Sequence, residues 1–475
     1  MKIKIASKYN ISDNLIFLVE STDQLPKDLF SKDELAFIEK RKSDKKDFVT
    51  LSRLSHCHII QFIKKDKTDN ASKEHLRKNA SSICEFINDF KLSKLSVISL
   101  IENKQFSIAF IEALILSNYQ FLKYFKNRKQ KQNSFKEFSV IAKNITKVDL
   151  EELSNIAEAN LISRTLVNEP LSYLTASKLS EEIQDLFKDT KAKIQIFDKK
   201  KIENLKMGGL LAVNKGSIDP PTFSIIEWKP ENASNKNPFV IVGKGVVYDT
   251  GGLNIKTEDH MNDMKCDMAG AAATVGALYA VVKNKMPIHV IGLIPATDNR
   301  PDGNAYVSGD VITMYDGTTV EVINTDAEGR MILADALAYA KEYKPELVID
   351  MATLTGAAYR AIGYQGSVGM GVKSDAYMET LKKCGDSVHE RIAEFPFWEE
   401  YDKEIKSTIA DIKNLGGPLA GAITAGKFLA HFTDYPYIHL DIAGPSFLVK
   451  KDSYRGIGGT GVGVRLIYDF LKQNL

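Results

Sequence analysis

The sequence predicts an α/β protein: a mostly parallel or mixed central sheet with helices on both faces over 151–475, preceded by a smaller α/β domain over 1–150. Three observations predict it. Short apolar runs alternate with helical patterns from about residue 152 onward, as βαβ units do. The charge changes sign near 150. Residues 1–150 hold 28 Lys and Arg against 18 Asp and Glu, and the remainder holds 35 against 43, a shift that supports a domain boundary. Finally, a charged, glycine-rich cluster beginning at Lys244 directly follows one strand run, and Ala352-Thr353-Leu354-Thr355-Gly356 directly follows another. Ligands of open α/β sheets sit outside the carboxyl ends of their strands.

In the first region, Leu15–Val19, His58–Phe62 and Leu95–Leu100 read as strands and Ser107–Phe125 as an amphipathic helix. A helical pattern from about 152 ends near Pro170. Beyond it the strand candidates are Pro238–Gly243, Ile288–Ile294, Leu347–Met351 and Ile438–Ile442, largely apolar as buried parallel strands are. Helical patterns fall at about 268–283, 330–343, 419–432 and 462–473. No internal repeat interrupts this order.

Bulk properties remove several classes. With 44% hydrophobic and 26% charged residues in 475, the composition is that of a globular protein. No apolar run approaches the length of a membrane span, and the start MKIKIASKYN lacks the apolar core of a secretory signal. Cys57, Cys84, Cys266 and Cys384 are far apart and form no C-x-x-C pair, so a cytoplasmic protein with reduced thiols is expected. The densest basic stretch, Lys123 to Lys136, reads as a solvated helix end or linker, with a nucleic-acid or other anionic partner as its alternative.

Two clusters carry chemistry. One is Asn324-Thr325-Asp326-Ala327-Glu328-Gly329-Arg330, just before the helical pattern MILADALAYA. The other runs from Lys244 through Asp249 to Lys256 and on to Met264-Lys265-Cys266-Asp267. Asp249, Asp267, Asp326 and Glu328 are hard oxygen donors able to bridge two divalent ions. Any one of them can instead be a cap or a salt-bridge partner, and Asp267 stands where an N-cap belongs. Four acids at one predicted sheet edge repel one another unless cations intervene. Zn, Mn, Mg and Co all suit such donors. A lysine beside two cations is repelled or deprotonated. Lys244 and Lys256 are therefore candidates either to ligate a metal or to stabilise an oxyanion. Arg330, at a helix start, suits a planar anion as well as an acid. His260 reads as a loop residue.

On these residues the chain resembles the leucyl aminopeptidase family, the dinuclear-metal cytosolic aminopeptidases whose signature Asn-Thr-Asp-Ala-Glu-Gly-Arg is matched in full at 324–330. The Lys244–Lys256 block, the Met264–Asp267 block, DMATLTGA at 350–357, the GAITAGKFL region and HLDIAGP at 439–445 also match. The similarity covers about 150–475, whereas 1–150 resembles the family's variable N-terminal domain only loosely. The resemblance implies that 151–475 is the catalytic domain and that Lys244, Asp249, Asp267, Asp326 and Glu328 ligate two divalent ions, Zn or Mn first, Mg or Co as alternatives. It makes Asp249 and Glu328 the bridging ligands, assigns Lys244 and Asp267 to the tighter site and gives Asp326 to the more exchangeable one. It further implies that Lys256 is catalytic and that Arg330 holds bicarbonate, with the backbone of Ala327, Gly329 and Leu354 near that anion. Met264, Asn324, Thr353 and Gly356 are expected to shape the substrate site.

The implied activity is removal of an N-terminal residue, leucine or another mainly apolar one, from peptides with a free amine, by a homohexamer with no membrane partner. The chain departs from the family at Ala296–Pro301, Cys266 and Ala269, which puts substrate preference in question and spares every ligand. Three rivals remain. Gly421–Lys427 fits most of a P-loop, but Phe428 lacks its hydroxyl. The basic N-terminal region suggests nucleic-acid binding without catalysis. A metallophosphatase would need similar acids.

Overall fold

The computed structural model describes residues 1–475, the side chain of Glu258 excepted. The chain divides into two compact units. One is Met1–Ala157 with Lys451–Gly456, and the other is Glu158–Lys450 with Ile457–Leu475.

The second unit is built on a nine-stranded mixed sheet. Its centre is four parallel strands in the order Tyr437–Asp441, Leu347–Ala352, Phe239–Gly243 and Val290–Asn299. Antiparallel neighbours close both flanks: Ser367–Val372 beside Tyr437–Asp441, and Thr222–Trp228 beside Val290–Asn299. The central strands are buried along their length, so each face needs a cover. Val240 and Val242 join Ile332, Leu333 and Ala336 of the helix Glu328–Ala340 in one core, whereas Phe239 meets Phe470 of the helix Val464–Gln473 on the other face. The helix Ala269–Lys283 also packs on Val464–Gln473. Helices on both faces of a mostly parallel centre are what the alternating pattern predicted.

One break in this sheet positions the site. The strand Phe239–Gly243 resumes as Gly245–Asp249 after Lys244, whose amide donates to Met351 O at 3.1 Å and whose carbonyl accepts from Ala271 N at 2.9 Å. Gly243 and Gly270 make that approach possible. A Cβ on Gly243 would lie 2.6 Å from Gly270 O, and one on Gly270 would lie 1.9 Å from Met351 O.

The first unit is a six-stranded sheet in the order Lys2–Ile5, Glu137–Ala142, Lys94–Ser99, Leu15–Val19, Cys57–Phe62 and Phe48–Ser52, parallel except for the last pair. The predicted helix Ser107–Phe125 is Lys104–Ser117. It stops because Asn118 turns its side chain to Phe135 O at 3.0 Å and receives Asn133 Nδ2 at 2.9 Å, tying the following segment back. A helix that periodicity did not predict, Asp69–Asp89, starts at a Thr68 cap and buries Leu76, Ala80, Ile83 and Ile87 at helical spacing. Its many polar residues hide that stripe. All four cysteines are free and buried. Among the described residues no helix is long and apolar enough to cross a membrane.

Candidate metal centre

Because the central strands are parallel, their carboxyl ends gather on one edge, and the chemistry-bearing residues follow them there. Lys244 follows Phe239–Gly243, Asp249 ends Gly245–Asp249, Asn299 ends Val290–Asn299, Thr353 follows Leu347–Ala352, and Asp441 ends Tyr437–Asp441. The segment 324–330 reaches the same place from a different direction. A 3-10 turn, Thr325–Ala327, leads into the helix Glu328–Ala340, and Asn324 caps that turn by accepting from Asp326 N at 2.7 Å.

The two charged clusters interlock. Lys244 Nζ lies 2.8 Å from Asp267 Oδ1, 2.9 Å from Glu328 Oε1 and 2.9 Å from Thr353 O. Lys256 Nζ lies 2.7 Å from Asp249 Oδ2 and 2.6 Å from Asp326 Oδ1. One carboxylate oxygen from each of Asp249, Asp326 and Glu328 fits within a 4.8 Å span. Asp267 does not cap the Ala269–Lys283 helix, whose N-cap position is Met268. Its carboxylate instead takes Lys244 and the Thr353 hydroxyl, the latter at 2.7 Å. The capping alternative is thereby set aside.

Charge is out of balance in this pocket: four carboxylates face two ammonium groups. Burial, then Glu328 and Asp326, push Asp249 up to about 7 against the pull of Lys256 and Lys244. Burial likewise raises Asp267 well above its ordinary value, and burial with Glu328 raises Asp326. Glu328 goes the other way. Burial would raise it, but Lys244 and Lys256 outweigh burial and hold it below the usual carboxylate range. Burial pulls both lysines down and the carboxylates more than reverse it, so both are held above the ordinary lysine value. The sequence left a lysine beside cations either repelled or deprotonated. With carboxylates as its neighbours, Lys244 keeps its proton, and only positive charge close by would reverse that.

These residues fit a divalent pair. Two carboxylate oxygens, Asp267 Oδ2 and Glu328 Oε2, are buried and have no hydrogen-bond partner, which is costly for an acceptor unless a cation uses it. The excess negative charge is of the sign and size that cations neutralise, and the donors are hard oxygens.

Arg330 is buried and forms no ion pair among the described residues. Its Nη1 donates to Asn414 O at 2.7 Å, its Nε has no partner, and burial pulls its pKa down to about 10 despite Glu328, Asp441 and Asp326. The other candidates line the same region. Met264 opens a short turn, Met264–Cys266, and Thr353 is buried. Leu354 N donates to Asp441 Oδ1 at 3.1 Å, and Gly356 begins a helix capped by Thr355. Ala327 is buried, its amide given to Asn324 O at 3.2 Å. His260 is exposed, and Gly421–Lys427 lies wholly inside the helix Gly421–Ala430, which leaves no phosphate loop.

Two residues of this site were not singled out from the sequence. Asn299 Nδ2 donates to Asp249 Oδ1 at 2.9 Å and to Thr325 O at 3.0 Å, joining the two clusters. Asn414 receives Ile323 N at 2.8 Å, donates to Asn324 O at 2.8 Å and takes Arg330 on its carbonyl. Asn299 had a faint signal in its position at a strand end; Asn414 had none.

Residues 161–468 match the family model for the cytosol aminopeptidase family, catalytic domain. A probable cytosol aminopeptidase of Chloroherpeton thalassium is 51% identical over 321 residues, 67% of this chain and 62% of that protein. The chain therefore spans somewhat under two thirds of the length of that relative. One from Chlorobium phaeobacteroides is 44% identical over 377 residues, 77% of this chain and 74% of that protein. Among solved structures, the bottromycin maturation enzyme BotP in complex with Mn superposes with a TM-score of 0.86 at 27% identity, covering 98% of this chain and 99% of that one.

Proposed function

The chain belongs to the cytosol aminopeptidase family, and from that premise we propose that it is a metal-dependent aminopeptidase whose catalytic part is 151–475. The observation that carries this reading is the meeting of Asp249, Asp326 and Glu328 oxygens within 4.8 Å, with Lys244 between Asp267 and Glu328. Lys244, Asp249, Asp267, Asp326 and Glu328 would hold two divalent ions, with Asp249 and Glu328 shared between them. Zn or Mn comes first, since oxygen donors with one amine suit both, and the Mn complex of BotP supports the latter. When bound, the ions supply Lewis-acid polarisation of the scissile carbonyl and acidification of the attacking water.

The protein's own groups do the rest. Lys256, half-buried and paired with Asp249 and Asp326, would stabilise negative charge developing on the substrate carbonyl oxygen. Arg330, with an unpartnered Nε and no acid in ion-pair contact, would hold a planar anion, bicarbonate in this reading, as the base that relays a proton. A free α-amine is a donor that divalent ions of this kind accept and an acylated one is not, so peptides with an open N-terminus would be the substrates. Leucine and other apolar residues would be preferred. A homohexamer in the cytoplasm is the assembly and location this reading carries.

The test is turnover of a panel of aminoacyl amides by chelated and by metal-reconstituted protein. Loss on chelation with recovery on Mn or Zn is expected. Equal turnover of N-acetylated substrates, or activity untouched by thorough metal removal, would overturn the reading.

A further inference from the structure

The basic stretch noticed in the sequence is not part of the metal centre. Between Glu112 and Glu137 the chain carries six cationic residues and no acid. In the first unit this segment lies beside the amino ends of three neighbouring parallel strands and borders a half-open pocket of about 710 Å³. The volume lies within the usual range for small-molecule sites.

The charge of its wall is one-sided. Lys2, Lys94, Arg128, Lys129 and Lys136 line it, against a single acid, Glu137. Lys2 and Lys94 stand opposite Glu137 in the register of the two strands that flank it. Glu137 already pairs with Lys4 at 2.9 Å and lies 3.8 Å from Lys94, so little of its charge is left for the others. Lys2, Arg128, Lys129 and Lys136 form no ion pair among the described residues. Lys131, by contrast, lies over the Phe125 ring at 4.9 Å and is not in the wall.

A chain of side-chain amides holds the segment in this shape. Gln120 Nε2 donates to Lys131 O at 3.0 Å, Asn133 N donates to Gln120 Oε1 at 2.7 Å, and Asn118 joins Asn133 and Phe135 O. A solvated linker needs no such cross-ties. They hold Arg128, Lys129 and Lys136 around the same pocket as Lys2 and Lys94, so that their fields add where an anion would enter.

We propose that this cavity is a binding site for a small polyanion of the polyphosphate class, carrying three or four negative charges. The lining has a surplus of four positive charges, which a monoanion would leave mostly unbalanced, and a half-open pocket of this size takes a compact ligand.

Calorimetric titration of the full-length protein with inorganic tripolyphosphate at physiological salt tests the proposal. The comparison uses an Arg128→Glu, Lys129→Glu double variant and a Lys64→Glu, Lys65→Glu control with the same change in net charge. All three proteins share one metal centre, so any heat from phosphate acting there is common to them. Saturable binding is expected, weakened at least about tenfold by the cavity variant and less than about twofold by the control. Peptidase activity should be unchanged in both variants. Equal weakening in both would mean only the overall field attracts the anion, and would overturn the site. So would the absence of saturable binding, or capture of a single-stranded oligonucleotide by a protein that ignores tripolyphosphate.

Discussion

Gly329 has no side chain because Lys244 occupies the space one would need. A Cβ built on Gly329 would lie 2.4 Å from Lys244 Cε and 2.5 Å from its Nζ. The helix that carries Glu328 and the strand end that carries Lys244 can therefore keep the Lys244 side chain in this position only through a glycine.

Gly329→Ala should accordingly push Lys244 away from Asp267 and Glu328. We expect metal content to fall and kcat/KM to drop by about 100-fold or more, the scale of losing one well-placed polar group in a site. Helix propensity favours alanine here by up to about 1 kcal/mol, so the melting temperature should fall little. A variant of normal metal content and activity would show that Lys244 has room to spare.

Glu328→Gln keeps the shape of the side chain and removes its charge. Since Lys244 and Lys256 hold Glu328 ionised, the substitution leaves both ammonium groups facing fewer acids. Metal measured by elemental analysis should fall below one equivalent, with kcat/KM reduced by about 1000-fold. Unaltered metal stoichiometry would remove Glu328 from the ligand set.

Asn299→Ala tests support one layer out. Asp249 would lose a hydrogen bond of 2.9 Å while keeping Gly251 N at 2.8 Å and Lys256. Supporting residues of this kind are worth about 10–100-fold in metal affinity or activity. A competition titration against a metal-binding dye should register that loss, and restoration by Asn299→Asp would point to charge instead of hydrogen-bond geometry.

The pH dependence of stability has a separate source in the first unit. His58 is buried with its ring edge-on to Phe17 at 6.1 Å and to Phe30 at 5.7 Å. Burial, followed by Arg53 and His56, depresses its pKa to about 4. The unfolded chain takes up this proton near pH 6.5. Between those values the unfolded state binds the extra proton, so stability is lost as pH falls from about 6.5 to 4, by up to about 3 kcal/mol. His58→Phe should flatten that part of the curve in urea melts at pH 7, 5.5 and 4.5. Parallel curves for the two proteins would contradict the assignment.

Much of the site was legible because its parts are local. Asp326, Glu328 and Arg330 sit within five residues at a helix start, and Lys244 and Asp249 bracket one resumed strand. Apolar runs separated by helical periodicity were enough to order the central strands along the chain, since burial on both faces leaves its mark on every residue of such a strand. The helix Asp69–Asp89 escaped because polar residues, Lys73, Glu74 and Arg77 among them, share its buried face and leave the apolar stripe narrow.

The sequence by itself determined the alternation of strands and helices and the supply of acids, lysines and arginine at the ends of those strands. Tertiary structure decided which of them touch: Lys244 with Asp267 and Glu328, Lys256 with Asp249 and Asp326, and Arg330 with Asn414. It also decided that Asn299 and Asn414 belong with them. The reason is physical. Periodicity records how each residue meets its nearest neighbours and the core, whereas a hydrogen bond between residues fifty or eighty positions apart leaves no local pattern, and exists only once the sheet has brought their strand ends to one edge.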